Sequence, residues 1–289
     1  MSLRGITFHK PQSVGEVLEL LKELEDARLL AGGTDLLVDL KQGLITAKNL
    51  ISLQDVQSLR GIREEDGTIA IGAMMTPKEI HSDRLINRHL PALVDSARLM
   101  AATQIRSMAT IGGNIASAVP SADMPPPLIA ADASVVLDCG TSREIKLVEF
   151  FTGARETVCG EGEILAAVRI PIPPPQTGSS YQKLSLREAN ALAVVGAASQ
   201  ISLSGDKIGK SIIVLGAVAP TPVLAKKASV LLRGHEPSDG LFDEAASLAS
   251  EAGEPISDIR GSAWYRKELI PVLTRKSLGV AWARAREQS

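Results

Sequence analysis

Two glycine pairs carry the residues of this chain whose types and spacing could do chemistry. AGGTD (Ala31–Asp35) follows the apolar run ARLL and precedes DLLVDLKQG. ATIGGNIASAVPSAD (Ala109–Asp123) joins a second Gly-Gly to hydroxyl, amide and carboxylate side chains. Glycine accepts positive φ and has no Cβ, so a Gly-Gly after a strand lets successive backbone N–H groups point into one concavity. Such a nest, or a helix start, binds anions. Taken alone, either pair reads more readily as a plain turn. In the first loop an anion falls to the amides of Gly32, Gly33, Thr34 and Asp35 and to the Thr34 hydroxyl. The Asp35 carboxylate, which would repel a phosphate, is expected to cap the first turn of the helix that follows. In the second loop Thr110, Asn114 and Ser117 are neutral donors and Asp123 is an acceptor, a set suited to a phosphate with a polyol chain beside it. No Gly-Lys-Ser/Thr follows either pair and no G-x-G-x-x-G occurs, which disfavours a Walker loop and an ordinary Rossmann site.

The elements that must position these loops follow from periodicity. Ser13 is a candidate N-cap with Glu16 three residues on, and Val14, Val17, Leu18, Leu20, Leu21 and Leu24 give one apolar face. ARLLAGG reads as a short buried strand, DLLVDLKQG as a helix stopped by Gly43, and NLISL as a strand, together a small βαβ-like unit. LRGIREEDGTIAIGAM turns at Asp66–Gly67 as a hairpin, TPKEIHSD and HLPALVDSARLMA are helical, and DASVVLDCGTSREIKL is a second hairpin. EILAAVRIPIP reads as a buried strand, and PIPPPQTGSS as a linker whose prolines deny both helix and ladder hydrogen bonds. Strands YQKLSL, AVVGAASQISL and KIGKSIIVLGAVA come next, then helices, the last interrupted at Pro271. The expected units are 1–53, 54–175 and 176–289.

The totals exclude several function classes. A chain of 289 residues with net charge −2 presents no basic field for nucleic acid. Cys139 and Cys159, far apart and outside any Cys-x-x-Cys spacing, cannot alone hold an iron–sulfur cluster. No metal site is expected; His81 and His89 read as solvated. No stretch reaches the length of a membrane span and the N-terminus has no long apolar segment, so a soluble cytoplasmic protein is expected. Met74, Met75, Met100 and Met108 read as core fillers, and Trp264 and Trp282 as packing anchors. Arg106 reads as a helix-end arginine or a phosphate contact. Arg266, Lys267, Arg275, Lys276, Arg284 and Arg286 read as a solvated face.

As an ordered set, LAGGTDLL, ATIGGNIASAVPSADMPPPLIAADASVVL, EGEILAAVRIP, YQKLSLREANALAVVGAA, LGAVAPTPVLAKKA and DIRGSAWYRKELIPVLTRKSL resemble the FAD-binding medium subunits of the molybdenum hydroxylases. That family includes flavin subunits of aerobic carbon monoxide dehydrogenases and xanthine dehydrogenases. The resemblance covers nearly the whole chain. It implies an α+β protein: the two-part FAD-binding fold of the vanillyl-alcohol-oxidase type, plus a C-terminal domain with a three-stranded antiparallel sheet and a helical bundle.

It also implies FAD lying extended between the first two units. Its pyrophosphate would rest on Gly32–Asp35 and on Gly112, Gly113 and Asn114, with Ala31, Leu36, Thr110 and Ile111 flanking. Ser117 and Asp123 would bond the ribityl and phosphate region, and Leu165 would lie near the isoalloxazine. Lys183 would stand at its pyrimidine side, where a cation favours the charge that develops on reduction. Read from spacing alone, Lys183 is a solvated strand lysine. The implied partners are a molybdenum-cofactor large subunit and a 2Fe–2S small subunit, assembled as a dimer of heterotrimers, with electrons passing through FAD to NAD, a quinone or oxygen. Two readings stand beside this one. A flavin-free scaffold is opposed by the intact donors of the second loop. A stand-alone flavin oxidase is opposed by the lack of a histidine or cysteine flanking either loop.

Overall fold

The computed structural model describes residues 5–187 and 192–287; residues 188–191, inside the YQKLSLREANALAVVGAA segment, lie outside the described residues. The first unit opens with a strand too short for its alternation to register, β1 (Thr7–His9). It continues through α1 (Val14–Glu23), β2 (Ala27–Leu30), α2 (Leu36–Gln42) and β3 (Asn49–Ser52). β3 lies between β1 and β2 and pairs parallel with both, so the two helices are the crossovers a parallel sheet requires. The Ser13 hydroxyl accepts from the Glu16 N–H, while the Glu16 carboxylate takes the N–H of Gln12 rather than that of Ser13. α2 stops at Gly43, whose φ of 72° is the left-handed conformation of a helix C-cap.

The second unit starts with the hairpin β4 (Ile62–Glu65) and β5 (Thr68–Gly72). Its turn residues Asp66 and Gly67 both have positive φ, 49° and 71°, as a tight right-twisted hairpin demands. Short helices follow: α3 (Pro77–Ser82), α4 (Arg84–His89), α5 (Pro91–Leu99), α6 (Thr103–Arg106), α7 (Ile111–Ala116) and α8 (Pro125–Ala130). Then come the hairpin β6 (Ser134–Asp138) and β7 (Ser142–Lys146), α9 (Leu147–Phe150), the small hairpin β8 (Phe151–Gly153) and β9 (Glu156–Thr157), and β10 (Ile164–Pro171). β10 inserts antiparallel between β5 and β6, closing a five-stranded sheet. Val168, Ile170, Ile69, Ile71, Val135 and Leu137 pack its core against α5, α7 and α8.

The third unit has the three long antiparallel strands expected, β11 (Thr177–Ser185), β12 (Ala193–Ser204) and β13 (Lys207–Gly216), and a fourth of two residues, β14 (Val223–Leu224). Helices α10 (Lys226–Leu232), α11 (Asp239–Ala252) and α12 (Ala263–Glu287) cover one face. The expected break at Pro271 is absent: α12 runs 25 residues through the proline. Ile270, Leu273, Leu278 and Ala281 are buried with the sheet core, and that packing holds the helix across the missing hydrogen bond.

Nor is the basic face of α12 simply solvated. Arg266 is 2% exposed, donates to the carbonyls of Val194 and Ala217, and pairs with Asp258. Arg284 reaches the second unit, gripping the Asp95 carboxylate on α5 at 2.7 and 3.0 Å. Trp282 does anchor its helix, edge-on to Phe242, but Trp264 is exposed. Met74 and Met100 are core residues, whereas Met108 is exposed.

Candidate functional site

The two glycine loops meet. A Cβ on Gly32 would run into the carbonyl oxygen of Met108 and stand 2.9 Å from the Ala109 Cα, so this glycine lets the loops approach each other. Gly33 takes φ of 69°, which turns the chain between β2 and α2. Along this turn the N–H groups of Gly32, Gly33, Thr34 and Asp35 make no hydrogen bond to any described residue. Gly32 through Leu36 line a cleft of about 620 Å³. Four free donors on a cleft wall at a helix start are an anion cradle.

Asp35 does not act as expected. Its carboxylate makes no capping bond, because its backbone is already helical (φ −103°, ψ −53°) rather than in the extended N-cap conformation that aims the side chain at the first-turn amides. It is exposed and lines the cleft, where solvent screens it.

The second loop also differs from its sequence reading. Every amide of its glycine pair is claimed inside the fold: Ile111 N–H by the Met75 carbonyl, Gly112 by Ala73, Gly113 by the Thr110 hydroxyl and Asn114 by the Thr110 carbonyl. Gly112 is a packing glycine, since its Cβ would lie 2.7 Å from that of Ala73. The loop therefore offers a wall and side chains rather than a second nest. Thr110, Gly113, Asn114, Ala116 and Ser117 line the cleft. Asn114 accepts the Met124 N–H through Oδ1, and Ser117 Oγ donates to the Asn114 carbonyl. Ile111 and Leu165 are buried among core residues and do not line the cleft.

Asp123 and Lys183, singled out separately in the sequence, are brought together. Lys183 Nζ donates to Asp123 Oδ2 at 2.8 Å and to the Leu99 carbonyl at 3.1 Å, and the two side chains are 3% and 6% exposed. Tyr181, missed by sequence reasoning, donates its hydroxyl to Asp123 Oδ1 at 2.9 Å. Burial pushes the Asp123 carboxyl above the ordinary carboxylate range, against the opposing pull of Lys183 and Tyr181. Burial and the neighbouring carboxylate push the Tyr181 hydroxyl well above its ordinary value, which keeps it a donor. The only sequence trace of this contact is Gly196, opposite Lys183 on β12, where a Cβ would lie 2.6 Å from the Tyr181 hydroxyl. Asp123 lines the cleft and Lys183 stands behind it.

Met100, Ile105 and Leu192 add apolar lining that no local motif announces. Arg106 is the helix-end arginine of its two readings, the last residue of α6, and it ties down the carbonyls of Met100 and Ala101. A second cleft of about 530 Å³, lined by Gln54, Arg60, Thr76, Lys78 and Glu79, also opens onto Ala31, Gly32 and Thr110. The loop junction thus lies between two chambers, and an elongated ligand can rest its anionic middle on the junction with one end in each. The amide cradle, the closed loop contact and the paired chambers fit FAD.

Comparison with known proteins agrees. Residues 4–173 match the family described as "FAD binding domain in molybdopterin dehydrogenase", and residues 179–281 match "CO dehydrogenase flavoprotein C-terminal domain". The chain is 37% identical over 281 residues to the carbon monoxide dehydrogenase medium chain of Afipia carboxidovorans, covering 96% of this chain and 97% of that one. It is 30% identical to the xanthine dehydrogenase FAD-binding subunit of Escherichia coli O157:H7, covering 96% and 97%. A chain of the carbon monoxide dehydrogenase from Hydrogenophaga pseudoflava superposes with a TM-score of 0.94 at 35% identity, covering 98% and 99%. The chain belongs to the FAD-binding medium subunits of the molybdenum-containing dehydrogenases.

Proposed function

We propose that this chain holds FAD across the loop junction and serves as the electron exit of a molybdenum hydroxylase. The observation that carries the proposal is the row of four unclaimed N–H groups, Gly32 to Asp35, on the wall of the cleft. FAD supplies, when bound, the chemistry that collects single electrons and delivers them in pairs to an external acceptor.

The chain's own residues bind, orient and exclude water. The Gly32–Asp35 amides and the Thr34 hydroxyl receive the pyrophosphate, with Ala31 and Leu36 beside them. Gly112 seats the second loop against Ala73, Gly113 lines the cleft, and Asn114 and Ser117 offer side-chain contacts. Asp123, oriented from behind by Lys183 and Tyr181, accepts from the polyol hydroxyls. Because Lys183 is neutralised by Asp123, it acts as an oriented donor rather than as a free cation. Ile111 and Leu165 support the cleft from the core. We divide the chain into 1–53, 54–175 and 176–289.

The partners are a molybdenum-cofactor large subunit and an iron–sulfur small subunit, in a dimer of heterotrimers in the cytoplasm. The organic or gaseous substrate binds the large subunit. The naming of relatives as medium chains supports this, and no helix among the described residues is long and apolar enough to cross a membrane.

Titrating FAD into the purified chain while following flavin fluorescence tests the reading, with Ala116→Trp alongside. Ala116 is exposed on the cleft wall, so a tryptophan there plugs the cleft without entering the core. Saturable binding that the plug weakens at least about tenfold is the expected result. A folded wild-type chain that ignores FAD, alone and with its partner subunits, would overturn it in favour of a scaffold.

A further inference from the structure

One ion pair crosses the cleft and belongs to none of the contacts assigned above. Arg155 sits in the turn between β8 and β9 of the second unit, and Asp39 sits on α2, one turn beyond the cradle. Arg155 Nη1 meets Asp39 Oδ2 at 2.6 Å, and Nη2 meets Oδ1 at 3.4 Å. Both residues line the cleft. The Asp39 side chain is 11% exposed and that of Arg155 53%, so a nearly buried carboxylate is neutralised by a half-exposed guanidinium.

The backbone holds Arg155 in place at a conformational cost. Its φ is 63°, and its N–H donates to the carbonyl of Ala118, whose own φ is 45°. Non-glycine residues enter the left-handed region only where surrounding contacts hold them there. Ala118 directly follows Ser117 at the end of the second glycine loop's helix. The Arg155 turn is thus bonded through its main chain to the element behind one loop and through its side chain to the helix behind the other.

We infer that Arg155 and Asp39 form a clamp that closes the two units over the bound dinucleotide. The inference rests on the FAD reading. The pair has two effects, both exerted through Asp39. It links α2 to the second unit across the opening of the cleft. It also neutralises a carboxylate that shares the cleft wall with the anion cradle, where Asp35 and Asp123 already add negative charge and Arg28 is the other basic residue lining the cleft. Arg155 is in this sense a positioning residue. The half-exposed guanidinium is the movable part, and its release opens the cleft.

The experiment measures FAD dissociation from the loaded full-length chain by flavin fluorescence after dilution, for wild type, Arg155→Gln, Asp39→Asn and the double variant, with near-UV circular dichroism to show folding. Arg155→Gln loses the link and exposes the carboxylate; it is expected to speed release about tenfold. Asp39→Asn loses the link and the repulsion together, and is expected to speed release about threefold. The double variant should match Asp39→Asn, since Arg155 acts only through Asp39. Wild-type release should quicken between about 0.05 and 0.5 M NaCl, with both single variants less responsive. Arg155→Lys should restore most of the retention.

Slower release from Asp39→Asn would mean that the freed Arg155 grips the cofactor itself, and overturns the clamp. Additive effects in the double variant, or an unchanged rate in Arg155→Gln, overturn it too. A wild-type chain that takes up no FAD with its partners overturns the cofactor reading and the clamp with it. Normal uptake with unchanged release overturns the clamp alone.

Discussion

Replacing Lys183 with methionine keeps an unbranched side chain one atom shorter and removes its charge, leaving Asp123 buried without its counter-ion. The ammonium and carboxylate are 2.8 Å apart with side chains 3% and 6% exposed, so neither is solvated in place of its partner. Removing one member of such a pair costs about 3–5 kcal/mol, because the other keeps its full desolvation penalty. The Tyr181 hydroxyl remains on Asp123 and offsets a part of this, while the Leu99 carbonyl loses the ammonium that donates to it.

The pH dependence has a definite sign. Burial already raises the Asp123 carboxyl in the folded chain, so the folded state holds a proton over a range where the unfolded chain has released it. A group of this kind makes stability fall as pH rises through that range. Without Lys183 the range extends upward, so the deficit of the variant should grow as pH rises through it and shrink toward acid. Adding Asp123→Asn removes the stranded charge and keeps an acceptor for Tyr181, and should return stability to within about 1–2 kcal/mol of wild type. Urea unfolding of the FAD-free chain, followed by circular dichroism at several pH values, measures all of this. A loss below about 1 kcal/mol with no pH dependence would refute the reasoning, for it would mean that Asp123 and Lys183 are each solvated.

Two further outcomes are expected. Gly32→Ala should abolish FAD uptake and cost about 2 kcal/mol or more, since its Cβ collides with the Met108 carbonyl, whereas Gly43→Ala, with φ of 72° and open space around it, should cost about 1 kcal/mol and leave uptake intact; equal effects on FAD binding would count against the loop contact. Pro271→Ala should raise the urea midpoint by restoring the N–H donor to the Lys267 carbonyl, a gain of about 1 kcal/mol or more, and a lowered midpoint would show that the proline is packed where alanine leaves a hole.

What could be read from the chain in advance was local. The Asp66–Gly67 hairpin, the Gly43 stop and the Ser13 cap each depend on a few consecutive residues, and each forms. Capping and turn chemistry close within one turn of backbone, so their signals survive without tertiary knowledge. Contacts between distant residues carried no such signal. Asp123 meets a lysine 60 positions away, Arg155 meets Asp39 across 116, and Arg284 meets Asp95 across 189. The charge count of α12 indicated a solvated face, yet Arg266 is buried with acceptors for its two terminal nitrogens at Val194, Ala217 and Asp258, its Nε alone left without a partner among the described residues.

The glycine pairs show the limit most sharply. Both were read as nests for the same reason, and they are different objects. In AGGTD the amides are free and the glycines give the turn and the close approach. In TIGGN the same residue type serves packing against Ala73, and the N–H groups from Ile111 to Asn114 already have acceptors. A buried N–H belongs to a ligand only when no carbonyl or hydroxyl of the fold claims it. That accounting runs over acceptors such as Met75 and Ala73, which lie on a connection no motif ties to the loop. Sequence can say that a glycine is needed; which of its two neighbours, the ligand or the rest of the chain, needs the missing Cβ is decided by the fold.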